Sequence, residues 1–142
     1  YGADFPASVF RTRLDRPDDT DGSRRIPVPV DRALLERGRD RFQTFFVPCH
    51  GTLGDGASSV AEMMKRSKPA NLGALAGEDA YRATNFRAVR LGFGLMPSYA
   101  VQLSVEDTWA VAAYVGALRI ARSSRADDLP PDVRAQLAKE AP

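Results

Sequence analysis

One cysteine, one histidine and one tryptophan are all that 142 residues supply of those types. A single Cys excludes an internal disulfide framework. One His beside one Cys excludes a zinc site built from side chains alone and a blue-copper site, and it leaves no second His to activate a nucleophile. Charge of one sign is also lacking: 20 Lys and Arg against 18 Asp and Glu give +2, so composition offers no argument for nucleic acid as a partner. No apolar run approaches the ~18 to 20 residues of a membrane-spanning helix, and strand patterns are weak throughout. What is present is a globular balance, 44% hydrophobic and 27% charged, suited to one domain with tails. The two scarce residues are neighbours, Cys49 and His50.

Prolines divide the chain into three parts, residues 1–30, 31–122 and 123–142. Residues 1–30 hold five Arg and five Asp, with the turn-rich run Arg16-Pro17-Asp18-Asp19-Thr20-Asp21-Gly22, and show no helical apolar period. This composition predicts an extended arm that lies on a partner, or else a solvated segment. Tyr1 is not an initiator Met and no signal peptide follows it, so a processed or partial chain is expected. Residues 123–142, with Pro130, Pro131 and Pro142, predict a second extended arm.

The middle part carries nine of the eleven glycines. A helix is predicted over 31–46, with Asp31 as N-cap and Leu34, Leu35, Gly38, Phe42, Phe45 and Phe46 at helical spacing. Residues 47–57 read as a glycine-punctuated loop, 58–66 as a short helix, and 78–91 as a helix with Tyr81, Phe86 and Val89 inward. A final core helix begins at Ser104, where Ser104-Val105-Glu106-Asp107 fits a looser capping box, and runs to about Arg122. Its small residues Ala112, Ala113 and Gly116 let another helix approach closely. Arg37, Arg39 and Arg41 read as a solvated helix face.

Chemistry concentrates in Phe45-Phe46-Val47-Pro48-Cys49-His50-Gly51. Covalent haem attachment uses C-x-x-C-H, in which thiols add to vinyl groups and the His binds iron. Here Cys49 and His50 remain, and Phe46 stands at the first Cys position. A Cys-His pair alone also fits a buried thiol beside a hydrogen-bonded imidazole. Three features shift the balance. Gly51, Gly54 and Gly56 permit a tightly wound backbone. Met96 lies 46 residues beyond His50 in the irregular loop Gly92-Phe93-Gly94-Leu95-Met96-Pro97-Ser98-Tyr99. Lys68-Pro69-Ala70-Asn71-Leu72 places a proline-bounded loop between them. Met63 and Met64 are rival sulfurs, but their helical setting predicts packing roles.

On these motifs residues 31–122 resemble class I cytochrome c, which implies an all-α fold with long loops and extended N- and C-terminal arms. The resemblance implies that the first and last helices cross, with Gly38 and Phe42 meeting Trp109, Ala113 or Tyr114. It assigns His50 and Met96 to iron, and gives the carbonyl of Pro69 as acceptor for His50 Nδ1–H. Phe46 cannot form a thioether, so the implied cofactor is haem c held by a single thioether through Cys49, similar to variant cytochromes of some protists. Phe46, Val47, Leu72, Leu75, Phe86, Val89, Leu91, Phe93, Leu95 and Tyr99 are the expected apolar surround, or plain core. Arg66, Lys68, Tyr99 and Trp109 are candidate contacts for the haem propionates, with a solvated surface role the alternative for Arg66 and Lys68.

A narrower similarity is to the monohaem cytochrome subunit of alternative complex III, the bacterial quinol-oxidising assembly. It is carried by Pro27-Val28-Pro29-Val30, Arg37-Gly38-Arg39-Asp40-Arg41-Phe42, Gly92 to Ala100, and Asp107-Thr108-Trp109-Ala110-Val111-Ala112-Ala113-Tyr114-Val115. That similarity implies an electron carrier within a larger oxidoreductase, not itself an enzyme. It implies other subunits including a multihaem cytochrome, and a terminal oxidase or soluble acceptor, on the periplasmic side of the membrane, peripheral or lipid-anchored. A haem-free subunit that keeps the fold is the competing expectation. A thiol enzyme centred on Cys49 is disfavoured, because its adjacent His50 is poorly placed as a base.

Overall fold

A computed structural model describes residues 26–65, 68–74 and 78–140. The expected N-terminal arm, apart from its last residues 26–30, therefore lies outside the described residues, as do Arg66 and Leu75. The described chain is all-α: α1 (Arg32–Phe45), α2 (Val47–His50), α3 (Ser59–Met63), α4 (Glu78–Leu91), α5 (Val105–Ser123), a 3-10 turn (Ala126–Asp128) and α6 (Pro131–Glu140). Pairing of β type is limited, among the described residues, to one isolated bridge between Phe93 and Met96.

α1 starts where its cap chemistry demands. The Asp31 carboxylate accepts from Leu34 N–H at 2.8 Å, satisfying one of the amides that the first turn leaves without a partner. α5 starts by the same device in its reciprocal form: Ser104 Oγ accepts from Asp107 N–H, and Asp107 Oδ2 reaches back to Ser104 N–H. α5 is buried along much of its length, including Trp109, Ala110, Val111, Ala112, Ala113 and Val115.

α1 and α5 cross at Gly38. A Cβ there would overlap the Ala110 carbonyl oxygen and lie 2.8 Å from Tyr114 Cβ, so the helices touch backbone to backbone. Phe42, one turn on, packs its ring 5.5 Å from Tyr114. The expected partner Tyr114 is present. Trp109 instead turns to α4 and stacks on Phe86 at 4.2 Å, in a second cluster with Val28 and Ala112. The close approach falls at Gly38 rather than Gly116, where nothing lies within 4 Å of a Cβ position.

Polar clamps flank the crossing. Asp107 Oδ1 accepts from Arg37 Nε at 2.8 Å and Arg41 Nε at 3.1 Å, while Oδ2 serves the helix cap. Arg37 and Arg41 keep side chains that are 46% and 37% exposed, as Arg39 is exposed, and the Nε of each also meets the Asp107 anion. Burial pushes the Asp107 carboxyl up, but the hydrogen bonds and charges of Arg37 and then Arg41 outweigh it and hold the pKa below its ordinary value.

Two expectations are corrected. Residues 47–50 form a helical turn, not loop, because His50 N–H bonds to Phe46 O at 2.7 Å and Gly51 N–H to Val47 O at 2.9 Å. Pro48 fits because a first-turn residue needs no amide hydrogen. The expected extended C-terminal arm contains helix α6: Pro130-Pro131 ends one segment and Pro131 opens the next, the position where proline favours a helix start. Phe86 and Val89 face inward as expected, whereas the Tyr81 side chain lies outside the described residues.

Gly38→Ala replaces the poorest ordinary helix former by the best, a gain of about 1 kcal/mol at an exposed site. Here overpacking reverses the sign, and a loss of about 1 to 3 kcal/mol is expected in urea unfolding. For Asp107, the unfolded chain takes up the proton first, so its contribution is complete above the ordinary carboxylate range and is lost as pH falls through the lower folded value. Asp107→Asn is expected to lower the melting temperature at neutral pH and to flatten the acid limb of a Tm-against-pH series.

Candidate functional site

Cys49 and His50 sit on the turn α2, placed against the core by Phe46, which is only 4% exposed. Phe46 is the C-cap of α1: its N–H donates to Phe42 O at 2.9 Å while its ring lies 5.9 Å from Phe42 and 4.9 Å from Tyr99. The residue at the first thiol position is thus a core residue, in one cluster with Phe42, Val89, Leu103, Val111 and Val115.

After His50 the chain turns at Gly51, φ +76°, and closes with Gly56 N–H donating to His50 O at 2.8 Å. Gly56, φ +79°, is packed so closely that a Cβ would stand 2.7 Å from the Pro69 carbonyl oxygen. Left-handed backbone plus that contact is met by glycine alone. Ser58, the N-cap of α3, donates from Oγ to Cys49 O at 2.9 Å and accepts from Ala61 N–H at 3.0 Å, joining the turn to the next helix.

His50 is buried, and its Nδ1 lies 3.1 Å from the carbonyl oxygen of Ala70. A carbonyl can only accept, so Nδ1 carries the hydrogen and Nε2 keeps the lone pair that a metal takes. The acceptor is Ala70, not the expected Pro69, because the Pro69 carbonyl is turned toward Gly56. Burial lowers the His50 pKa, and the bond to Ala70 offsets this in part, so the ring is neutral at pH 7. The Ala70 segment is fixed in turn by Leu72 N–H donating to Gly54 O at 2.7 Å, and by Asn71 Oδ1, which accepts from Gly73 N–H and Arg122.

Met96 is half-buried against the Phe46 cluster. Its loop is a tight turn in which Phe93 N–H donates to Met96 O at 3.0 Å and Met96 N–H to Phe93 O at 2.9 Å. Gly92 has φ +80°, and a Cβ there would meet Met96 O at 2.7 Å. The loop rejoins the core through Tyr99, whose N–H donates to Val89 O and whose carbonyl accepts from Leu103 N–H. Burial raises the Tyr99 pKa, and the charge of Cys49 adds to it.

The other expected positions divide. Val47, Leu72 and Pro69 are half-buried, whereas Leu91 at the end of α4 and Phe93 (77% exposed) and Leu95 in the tight turn stand outside the packed core. Lys68 is exposed. Trp109 is buried, and its Nε1 has no hydrogen-bond partner. Met63 is 72% exposed, so the packing role expected of it fails; Met64 is half-buried at the C-cap of α3. Sequence reasoning missed Ser58 and Ala70. The first carried a cap signal, while a backbone carbonyl carries none.

The residues present fit haem with one covalent link. A buried neutral imidazole with Nδ1 already bonded, the thiol next to it in sequence and a half-buried thioether are the nitrogen and sulfur donor types appropriate to iron in a c-type site. Gly56→Ala tests the cradle: the left-handed φ costs about 1 to 2 kcal/mol by itself, and displacement of Pro69 adds to that. Equilibrium unfolding is expected to show at least this loss.

A search of curated proteins finds no match to the chain. Residues 33–115, more than half of the chain, match the family described as cytochrome c oxidase, cbb3-type, subunit III. That span opens in α1, contains Cys49, His50 and Met96, and closes on the α5 residues that meet Gly38 and Phe42. The chain therefore belongs to this cytochrome c family, with its all-α fold and its haem-based electron transfer.

Proposed function

We propose that the chain is the monohaem electron-transfer subunit of a membrane respiratory complex of the quinol-oxidising, alternative complex III type, in which His50 and Met96 would hold the haem iron and Cys49 would form its single thioether. The observation that supports this most directly is the His50 imidazole, buried and oriented by the Ala70 carbonyl at 3.1 Å, beside the sole cysteine. Haem, when bound, supplies a one-electron couple.

The chain's own residues do the rest. Ala70 fixes the tautomer and raises the donor strength of Nε2. Met96 offers a soft sulfur that favours ferrous iron and raises the potential. The Phe46 cluster gives Met96 a buried apolar surface to pack on. Were His50 and Met96 both to hold the iron, no position would be left for oxygen or peroxide, which favours electron transfer.

Partners follow from the similarity of Arg37 to Phe42, Gly92 to Ala100 and Asp107 to Val115 to the alternative complex III subunit: a multihaem cytochrome and other subunits of the complex, and a terminal oxidase or soluble acceptor. No helix among the described residues is long and apolar enough to cross a membrane. A peripheral or lipid-anchored position on the periplasmic side accords with this, since thioethers are made outside the bacterial cytoplasm. A second reading, a haem-free subunit that keeps the fold, draws on Phe46, which cannot form a thioether and is buried in the core.

The chain purified after export with the c-type maturation machinery is expected to carry a haem-sized mass increase that survives acid-acetone extraction. Its pyridine haemochrome is expected to have an α-band between the b-type and c-type positions. Cys49→Ser should release that haem on extraction. An apoprotein mass with no haem band refutes the electron-transfer reading and leaves the structural one.

A further inference from the structure

We propose that Phe46 is a positioning residue for the Met96 loop, so that the first position of the attachment segment is committed to the protein core and linkage through Cys49 alone is the form this site is built for. The inference rests on reading Cys49, His50 and Met96 as a haem-binding set.

The loop from Gly92 to Leu103 carries Met96 on a turn closed only on itself, by the paired bonds with Phe93. Its side-chain anchor in the core lies three residues on, at Tyr99. The Tyr99 backbone is held at both ends, by Val89 O at 2.8 Å and Leu103 N–H at 2.9 Å, and between Met96 and Tyr99 the Ser98 hydroxyl donates to Arg90 O at 2.7 Å. The Tyr99 ring then needs a surface to rest on. Phe46 provides it at 4.9 Å with the rings tilted by 53°, and Phe45 adds an edge contact at 6.1 Å.

Phe46 is itself fixed. Its ring stacks on Phe42, and Phe42 packs on Tyr114 at the helix crossing, so Tyr114, Phe42, Phe46 and Tyr99 form one aromatic row from α5 to the Met96 loop. Met96 packs against the same cluster. A cysteine at this position would start from the same core-directed side chain, lose the ring under Tyr99, and place its sulfur among Phe42, Tyr99 and their neighbours.

The test uses the haem-loaded full chain, its Phe46→Cys and Phe46→Leu variants, and three readouts: the pyridine haemochrome α-band, the charge-transfer band of ferric iron bound to thioether sulfur, and far-ultraviolet dichroism. In Phe46→Cys the α-band is expected to stay at the parent position, showing no second thioether. The thioether band is expected to vanish on heating about 10 °C or more earlier than in the parent, and before the helices melt. Phe46→Leu should recover part of that shift. A c-type α-band in Phe46→Cys with an undiminished thioether band overturns the proposal. If Phe46→Cys yields no haem protein, Phe46→Leu decides: early loss of the band supports the proposal, and loss at the parent temperature overturns it. A parent chain without haem overturns the functional reading and this proposal together, which separates that failure from the others.

Discussion

Contact between α1 and α5 at Gly38 and Ala110 is the constraint on which the rest depends. Where the two backbones touch, the side chains on either side are brought within reach of partners far away in sequence. Asp107 meets Arg37 and Arg41, 70 and 66 residues apart. Phe42 meets Tyr114, and the aromatic row that begins there ends at Tyr99. A side chain at position 38 would push the helices apart and loosen the ionic and aromatic partners alike, because each is placed by the same short interaxial distance.

From that crossing the site is assembled outward by backbone. α1 ends at Phe46, and the carbonyls of Phe46 and Val47 hold the turn that presents Cys49 and His50. Positive φ values at Gly51 and Gly56 fold the following segment back beneath it, until Pro69 and Ala70 lie alongside. His50 is then oriented by a carbonyl from a segment that is itself tied to Gly54 and to Arg122 of α5. Side chains and main chain divide the work: the side chains hold the helices, and the main chain sets the imidazole.

Asp107 and Phe46 show two uses of one residue. Asp107 caps its helix with one oxygen and gathers two arginines with the other, so helix initiation and helix pairing share a single carboxylate. Phe46 stands where a second attachment thiol would be and serves as a packing ring. Its ring packs on Phe42 and on Tyr99, three residues beyond Met96. His50, on the turn that follows Phe46, and Met96 are thereby both placed against the same cluster.

The helices were legible in the sequence where local chemistry specifies them: Asp31 and Ser104 as caps, the spacing of Leu34, Gly38 and Phe42, and the capping box with Asp107. The Cys49-His50 pair and the glycine-bounded Met96 loop were legible for the same reason, since rare residue types in an unusual local setting stand out. Other features belong to tertiary structure alone. Whether the acceptor for His50 is Pro69 or Ala70 depends on a peptide orientation decided by packing against Gly56. Whether Arg37 and Arg41 meet an anion depends on where Asp107 arrives. Sequence fixes what each residue can do over a turn or a cap; which atoms meet across 70 positions is decided only when two backbones close on each other at Gly38.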